Sequence, residues 1–141
     1  MADDCIFCKI FRGEVKARVI YKDENTMAVV DNMPRFAKGQ CVVIHRNHVN
    51  QFFELQDNEI AELFISVKKI AHKLYKIYNP EYVCIFSRGQ TVIHSHIILY
   101  PSSPYGTLDG IFRSMDVIRR LALESSDEST LDEIAALMKD A

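Results

Sequence analysis

The feature that most limits the fold is a single apolar stripe in the middle of the chain. Ile60, Leu63, Phe64, Val67, Ala71, Leu74 and Tyr78 recur at steps of three and four, the spacing that puts side chains on one face of an α-helix. Asp57 or Asn58 stands where an N-terminal cap belongs, and Asn79-Pro80 ends the run because proline cannot continue it. Such a helix must bury its apolar face against another element, and the flanking sequence supplies one. Residues 18–22 and 26–31 are β-branched and aromatic runs joined by Asp23-Glu24-Asn25, which reads as a hairpin, and residues 40–45, 82–86 and 92–100 read as three further strands. Strands, one long helix, then strands again in 141 residues predict an α+β fold: an antiparallel sheet of about five strands covered by one long helix.

From Thr107 the chain turns helical again, with Leu108, Ile111, Phe112, Met115, Ile118 and Leu121 at helical spacing, a polar break over 124–129, and a last helix around 130–139. The expected organisation is a domain over residues 1–106 and a C-terminal helical extension over 107–141 packed on that same domain. The stripe of the extension reads as ordinary packing more readily than as a docking face for a partner. No internal repeat, P-loop or dinucleotide-binding fingerprint is visible.

Charge excludes one class of function. With 17 Lys and Arg against 19 Asp and Glu, the net charge of −2 lacks the cationic excess that holding long nucleic acid through many phosphates requires. A small anionic ligand remains compatible. The opening Met1-Ala2-Asp3-Asp4 is acidic and runs directly into Cys5, unlike a secretion signal. The expected location is the cytoplasm, at a size that also admits the chain to the nucleus, with no membrane association. In that reducing setting Cys5, Cys8, Cys41 and Cys84 read as metal ligands or buried thiols, not as a disulfide framework.

Two clusters carry candidate chemistry. Cys5-Ile6-Phe7-Cys8 is a C-x₂-C knuckle that lets two thiolates reach one Zn²⁺, although two buried thiols without a metal have the same spacing. His94-Ser95-His96 in a strand places both imidazoles on one surface about 7 Å apart. Such a pair serves as a hydrogen-bonded core histidine and its neighbour, or as two ligands of a catalytic metal. His45 and His48 lie at a strand end, and His72 on the polar side of the long helix. Just upstream, Gly89 in Arg88-Gly89-Gln90-Thr91 allows backbone N–H groups and the Thr91 hydroxyl to approach a phosphate closely.

Cys5-Ile-Phe-Cys-Lys-Ile, Lys38-Gly-Gln-Cys-Val-Val-Ile followed by His48-Val, and Gly89-Gln-Thr-Val-Ile-His-Ser-His-Ile-Ile-Leu-Tyr-Pro together resemble the histidine triad (HIT) family over about residues 5–101. The resemblance implies a sheet-and-helix domain, usually a homodimer, that cleaves nucleoside phosphoramidates or dinucleoside polyphosphates or transfers a nucleotidyl group. Within it, His96 matches the nucleophile that forms a covalent nucleotidyl-histidine and then releases a nucleoside monophosphate. Gly89, Gln90 and Thr91 match phosphate-side positions, and Asp31 the carboxylate that accepts from the ribose hydroxyls of a purine nucleotide. Zinc-bearing members imply Cys5, Cys8, His48 and His94 as a closed, structural Zn²⁺ site, with His45 the competing ligand. Where the family pattern has a third histidine this chain has Ile98, which can neither contact a phosphate nor carry a proton. That departure sets the alternative: a nucleotide-binding regulatory protein with weak or no turnover. Two further readings are an adaptor acting through its C-terminal helices, and a hydrolase with an open metal site built on His48, His94 and His96.

Overall fold

The structure is a computed structural model that describes residues 3–87, 89, 91–103, 106–122 and 127–140. Its elements in order are α1 (Ile6–Arg12), β1 (Val19–Lys22), β2 (Thr26–Val30), β3 (Cys41–His45), a 3₁₀ turn (Phe52–Glu54), α2 (Asp57–Tyr78), β4 (Val83–Phe86), β5 (His96–Pro101), α3 (Thr107–Ala122) and α4 (Glu128–Asp140). The five strands form one sheet in the order β1-β2-β3-β5-β4, and every neighbouring pair is antiparallel.

Alternation along the strands decides what each face carries. Ala28, Cys41, Val43, Ile97 and Leu99 point to the face where Leu63, Val67, Ile70 and Leu74 of α2 are buried. Met27, Val29, Val42 and Ile44 point to the opposite face, with half-buried Phe7, Ile10, Phe11 and Ile98 packed against them. One helix therefore does not complete the fold. The second face is partly covered by α1, a seven-residue helix that is too short for hydrophobic periodicity to reveal. It ends at Gly13, whose φ of 82° accommodates the left-handed turn.

Two expectations need correction. The residue preceding α2 is Gln56, not Asp57 or Asn58, and its backbone N–H donates to Glu59 Oε2 at 2.8 Å. The carboxylate three residues into the helix takes the exposed amide, so no Asp or Asn cap is needed. The fifth strand begins at His96, not at residue 92. Upstream of it, His94 N–H bonds back to the Val92 carbonyl at 2.9 Å and Ser95 N–H reaches the Val49 carbonyl at 2.7 Å, beyond the end of β3. The alternation argument therefore does not apply to His94.

Backbone contacts divide the chain into two compact units, Met1–Asp109 and Gly110–Ala141. Within the first unit Asp109 is buried and its carboxylate accepts the Ser103 N–H at 2.6 Å. In the second unit Ile111, Phe112 and Met115 are exposed, whereas the side chains of Leu108, Ile118 and Leu121 lie outside the described residues. Among the described residues, no helix is long and apolar enough to cross a membrane.

Candidate active site and metal centre

Four residues distant in sequence meet at the N-terminus of α1. Cys5 immediately precedes that helix and Cys8 lies in its first turn. His48 follows β3, and His94 precedes β5. Their ligand atoms lie within 4.8 Å of one another. Cys5 Sγ is 3.4 Å and Cys8 Sγ 3.5 Å from His94 Nδ1, Cys8 Sγ is 3.4 Å from His48 Nδ1, and the two Nδ1 atoms are 3.2 Å apart. A tetrahedron built on Zn–S of about 2.3 Å and Zn–N of about 2.0–2.1 Å has edges of about 3.3–3.8 Å, so the donor set fits a closed Cys₂His₂ site.

Protonation supports the same fit. His94 Nε2–H donates to the His45 carbonyl at 2.9 Å, which leaves the Nδ1 lone pair directed into the cluster. Burial outweighs that hydrogen bond and pushes the His94 imidazole down to about 4, so it is neutral at physiological pH. Burial and the adjacent Cys5 thiol push the Cys8 thiol up to about 11; a cation held at the centre would supply the charge that reverses this. His45 is not among these donors. It is buried, donates from Nε2 to Glu62 at 3.3 Å and accepts the Asn47 N–H at Nδ1, and it serves His94 through its backbone carbonyl alone.

His96 does a different job. Its Nδ1–H donates to the His94 carbonyl at 2.6 Å, which fixes the tautomer and leaves Nε2 with a free lone pair. Burial lowers the His96 basicity more than that hydrogen bond and the charge of Asp31 raise it, which favours the neutral ring. With Nδ1 committed and the metal-type cluster made of the other four residues, an open site on His48, His94 and His96 is not what the geometry presents. The Phe7 ring lies edge-on to His96 at 5.0 Å and to His94 at 5.8 Å between centroids, so the knuckle helix buttresses both histidines.

His96 lines a cleft of about 690 Å³ whose other walls include Asp31, Gly89, Thr91, Ile98 and, from α1, Ile6, Phe7 and Ile10. Four of the five substrate-side and nucleophile positions expected from sequence thus share one cavity. Gln90 lies outside the described residues. Gly89 has φ of 65°, a conformation L-residues adopt at a cost. The sheet register places Ile98 opposite both Val42 and Phe86, with Val29 opposite Val42. An apolar row therefore crosses the cleft floor one step from His96.

Sequence reasoning passed over Phe7 and Gln40. Phe7 carried no signal beyond lying inside the knuckle. Gln40 is a buried amide at the start of β3, and its side chain reaches Asp31 Oδ2 at 2.5 Å; a polar residue opening a strand looks like any loop end until its partners are seen.

The sequence and the fold both have relatives among known proteins. The family model described as HIT domain matches residues 12–102. An uncharacterized HIT-like protein of Methanocaldococcus jannaschii is 36% identical over 100 residues, covering 67% of this chain and 77% of its own. The adenosine 5′-monophosphoramidase of Schizosaccharomyces pombe is 31% identical over 109 residues, covering 72% and 78%. A solved structure from Streptococcus mutans superposes with a TM-score of 0.82 at 29% identity, covering 98% of this chain and 85% of that one. The chain belongs to the HIT domain family.

Proposed function

We propose that this chain is a nucleotidyl hydrolase or transferase that works through a covalent nucleotidyl-His96, acting on nucleoside phosphoramidates or dinucleoside polyphosphates and releasing a nucleoside monophosphate. The observation that carries the reading is the His96 ring, neutral and pinned at Nδ1, facing a cleft that also holds Asp31. Nε2 attacks the α-phosphorus, the phosphorus–leaving-group bond breaks with its electron pair on the departing group, and water then displaces the histidine and returns the pair to Nε2. Asp31 accepts from the ribose hydroxyls of a purine nucleotide, while Gly89, Gln90 and Thr91 serve the phosphate. The name of the fission-yeast relative supports the phosphoramidate class.

Cys5, Cys8, His48 and His94 would hold a structural Zn²⁺ that joins the knuckle to the segment preceding β5. We place the protein in the cytoplasm as a homodimer, without long nucleic acid or membrane as partner. The outer edge of β4, the end strand of the sheet, and Ile85 at 53% exposure support pairing; a monomer mass in solution at micromolar concentration would refute it.

One observation favours a second reading. Ile98 lies in the apolar row between Val42 and Phe86, so this part of the cleft offers no proton carrier beside the nucleophile, as expected of a nucleotide-binding regulator with weak or no turnover. The deciding experiment incubates wild type and His96→Ala with adenosine 5′-phosphoramidate and diadenosine polyphosphates and follows AMP. Release by wild type alone supports the enzyme; binding of nucleotide without release by either gives the regulator.

A further inference from the structure

Gln40 is 2% exposed, and its side-chain contacts converge on the rim of the cleft. Nε2 donates to Asp31 Oδ2 at 2.5 Å, while Oε1 accepts the Arg35 N–H at 3.2 Å and the Phe36 N–H at 3.0 Å. Only this amide orientation satisfies all three contacts, since two backbone donors require an oxygen and a carboxylate requires the NH₂. The backbone of the same residue closes the loop again: Gln40 N–H reaches the Ala37 carbonyl at 3.2 Å, and its carbonyl accepts the Asp31 N–H at 3.0 Å. Residues 31–40 are thus a loop closed on itself at one buried amide.

The consequence is for Asp31. Its Oδ1 accepts the Met33 N–H at 2.8 Å and its Oδ2 the Gln40 amide. An ionised carboxylate has about four acceptor positions, so one remains on each oxygen, the pattern that a vicinal diol with two O–H donors can fill. Without the Gln40 donor the carboxylate would turn freely, and fixing it would be charged to binding. The backbone of Phe36, whose ring meets Tyr100 at a tilt with centroids 5.2 Å apart and Phe86 edge to face at 5.7 Å, is held by the same amide. We infer that Gln40 is a positioning residue for ribose recognition: it orients the Asp31 carboxylate so that both oxygens accept from the 2′- and 3′-hydroxyls, and it sets the wall beside them. This rests on the reading of Asp31 as the ribose acceptor.

Gln40→Glu separates the two contacts. The isosteric carboxylate keeps an acceptor for Arg35 and Phe36 but removes the donor to Asp31 and sets a like charge against it. Titration calorimetry compares AMP with 2′,3′-dideoxy-AMP on wild type, Gln40→Glu, Gln40→Leu and Asp31→Asn, with thermal melts to confirm folding. Wild type should prefer AMP by about tenfold or more, as two hydrogen bonds to a charged acceptor imply. Both Gln40 variants should shrink that preference to under about threefold through the loss of AMP affinity, leaving dideoxy-AMP within about threefold of wild type. Should Gln40→Leu fail to fold, Gln40→Glu decides. A purely structural role would weaken both nucleotides alike, and that result, or an unchanged preference in Gln40→Glu, overturns the inference. If Asp31→Asn retains the wild-type preference, the ribose reading of Asp31 itself has failed and the inference falls with it.

Discussion

If Cys5, Cys8, His48 and His94 hold a cation as proposed, chelation should release α1 while leaving the sheet and α2 folded. Helix α1 has seven residues, well below the length at which an isolated helix is stable. Half-buried Phe7, Ile10 and Phe11 pack on the open face of the sheet, and at about half of a full burial each they contribute about 3–4 kcal/mol. Hydrogen bonds beyond the helix's own also hold it, from Gly13 N–H to the Ile10 carbonyl, from Glu14 N–H to the Lys9 carbonyl and from Lys22 Nζ to the Phe11 carbonyl. Ordering the backbone of residues 5–12 opposes this at about 1–2 kcal/mol per residue. Burial of three half-covered side chains does not offset that cost, so docking of the knuckle is expected to depend on a cation that would join Cys5 and Cys8 to His48 and His94. Hydrogen-exchange mass spectrometry before and after chelation tests this: peptides covering residues 5–14 should exchange at least about 30-fold faster, and peptides from α2 within about threefold of before. Because Phe7 and Ile10 line the cleft, their release should also weaken AMP binding. Unchanged protection of α1 in chelator-treated protein would refute this dependence, and simultaneous loss across α2 would show that the cation holds the whole domain.

Gly39→Ala combines a backbone φ of 94° with a Cβ that would lie 2.6 Å from the Tyr78 ring; a loss of about 2 kcal/mol, or about 6–10 °C in Tm, is expected in a thermal melt, and a neutral result would show that the 31–40 loop rearranges freely. Among the described residues Ser95 Oγ is buried without a hydrogen-bond partner, so Ser95→Ala should be neutral or stabilising by up to about 1 kcal/mol in denaturant titration, whereas a loss above about 1 kcal/mol would mean that the hydroxyl is satisfied in solution. Ile98→His puts an imidazole into the apolar row between Val42 and Phe86; it should cost about 1–2 kcal/mol of stability and raise turnover of a phosphoramidate by at least about tenfold through proton transfer, and a folded variant with unchanged turnover would show that Ile98 does not limit the chemistry.

The fold was legible where periodicity was strong. The α2 stripe survives in part: Leu63, Val67 and Leu74 are buried and Ile60 and Ala71 pack half-buried beside them, but Phe64 and Tyr78 are exposed, and Ile70, which the stripe left out, is buried; the hairpin at Asp23 is fixed locally, with its carboxylate accepting the Asn25 and Thr26 N–H groups. What periodicity could not reach was α1, whose two turns are set by packing and by the cysteines flanking Phe7. The strand boundary at residue 92 was misjudged for a related reason: Val92, Ile93 and His94 look like strand in composition, but Val49 captures the Ser95 amide past the end of β3 and holds the segment out of the sheet. Within the site, Cys5, Cys8, His48, His94 and His96 were visible as residue types that carry chemistry. Gln40 was not, because its contribution lies in three contacts that exist only once the loop is closed.

The most direct test of the account is intact-mass spectrometry of the protein mixed with adenosine 5′-phosphoramidate and quenched at short times, with the adduct mapped to a peptide. The account predicts an added adenylyl group on the peptide carrying His96, absent in His96→Ala, that decays as AMP appears. AMP release with no adduct in wild type, or equal release by His96→Ala, would contradict His96 as the nucleophile.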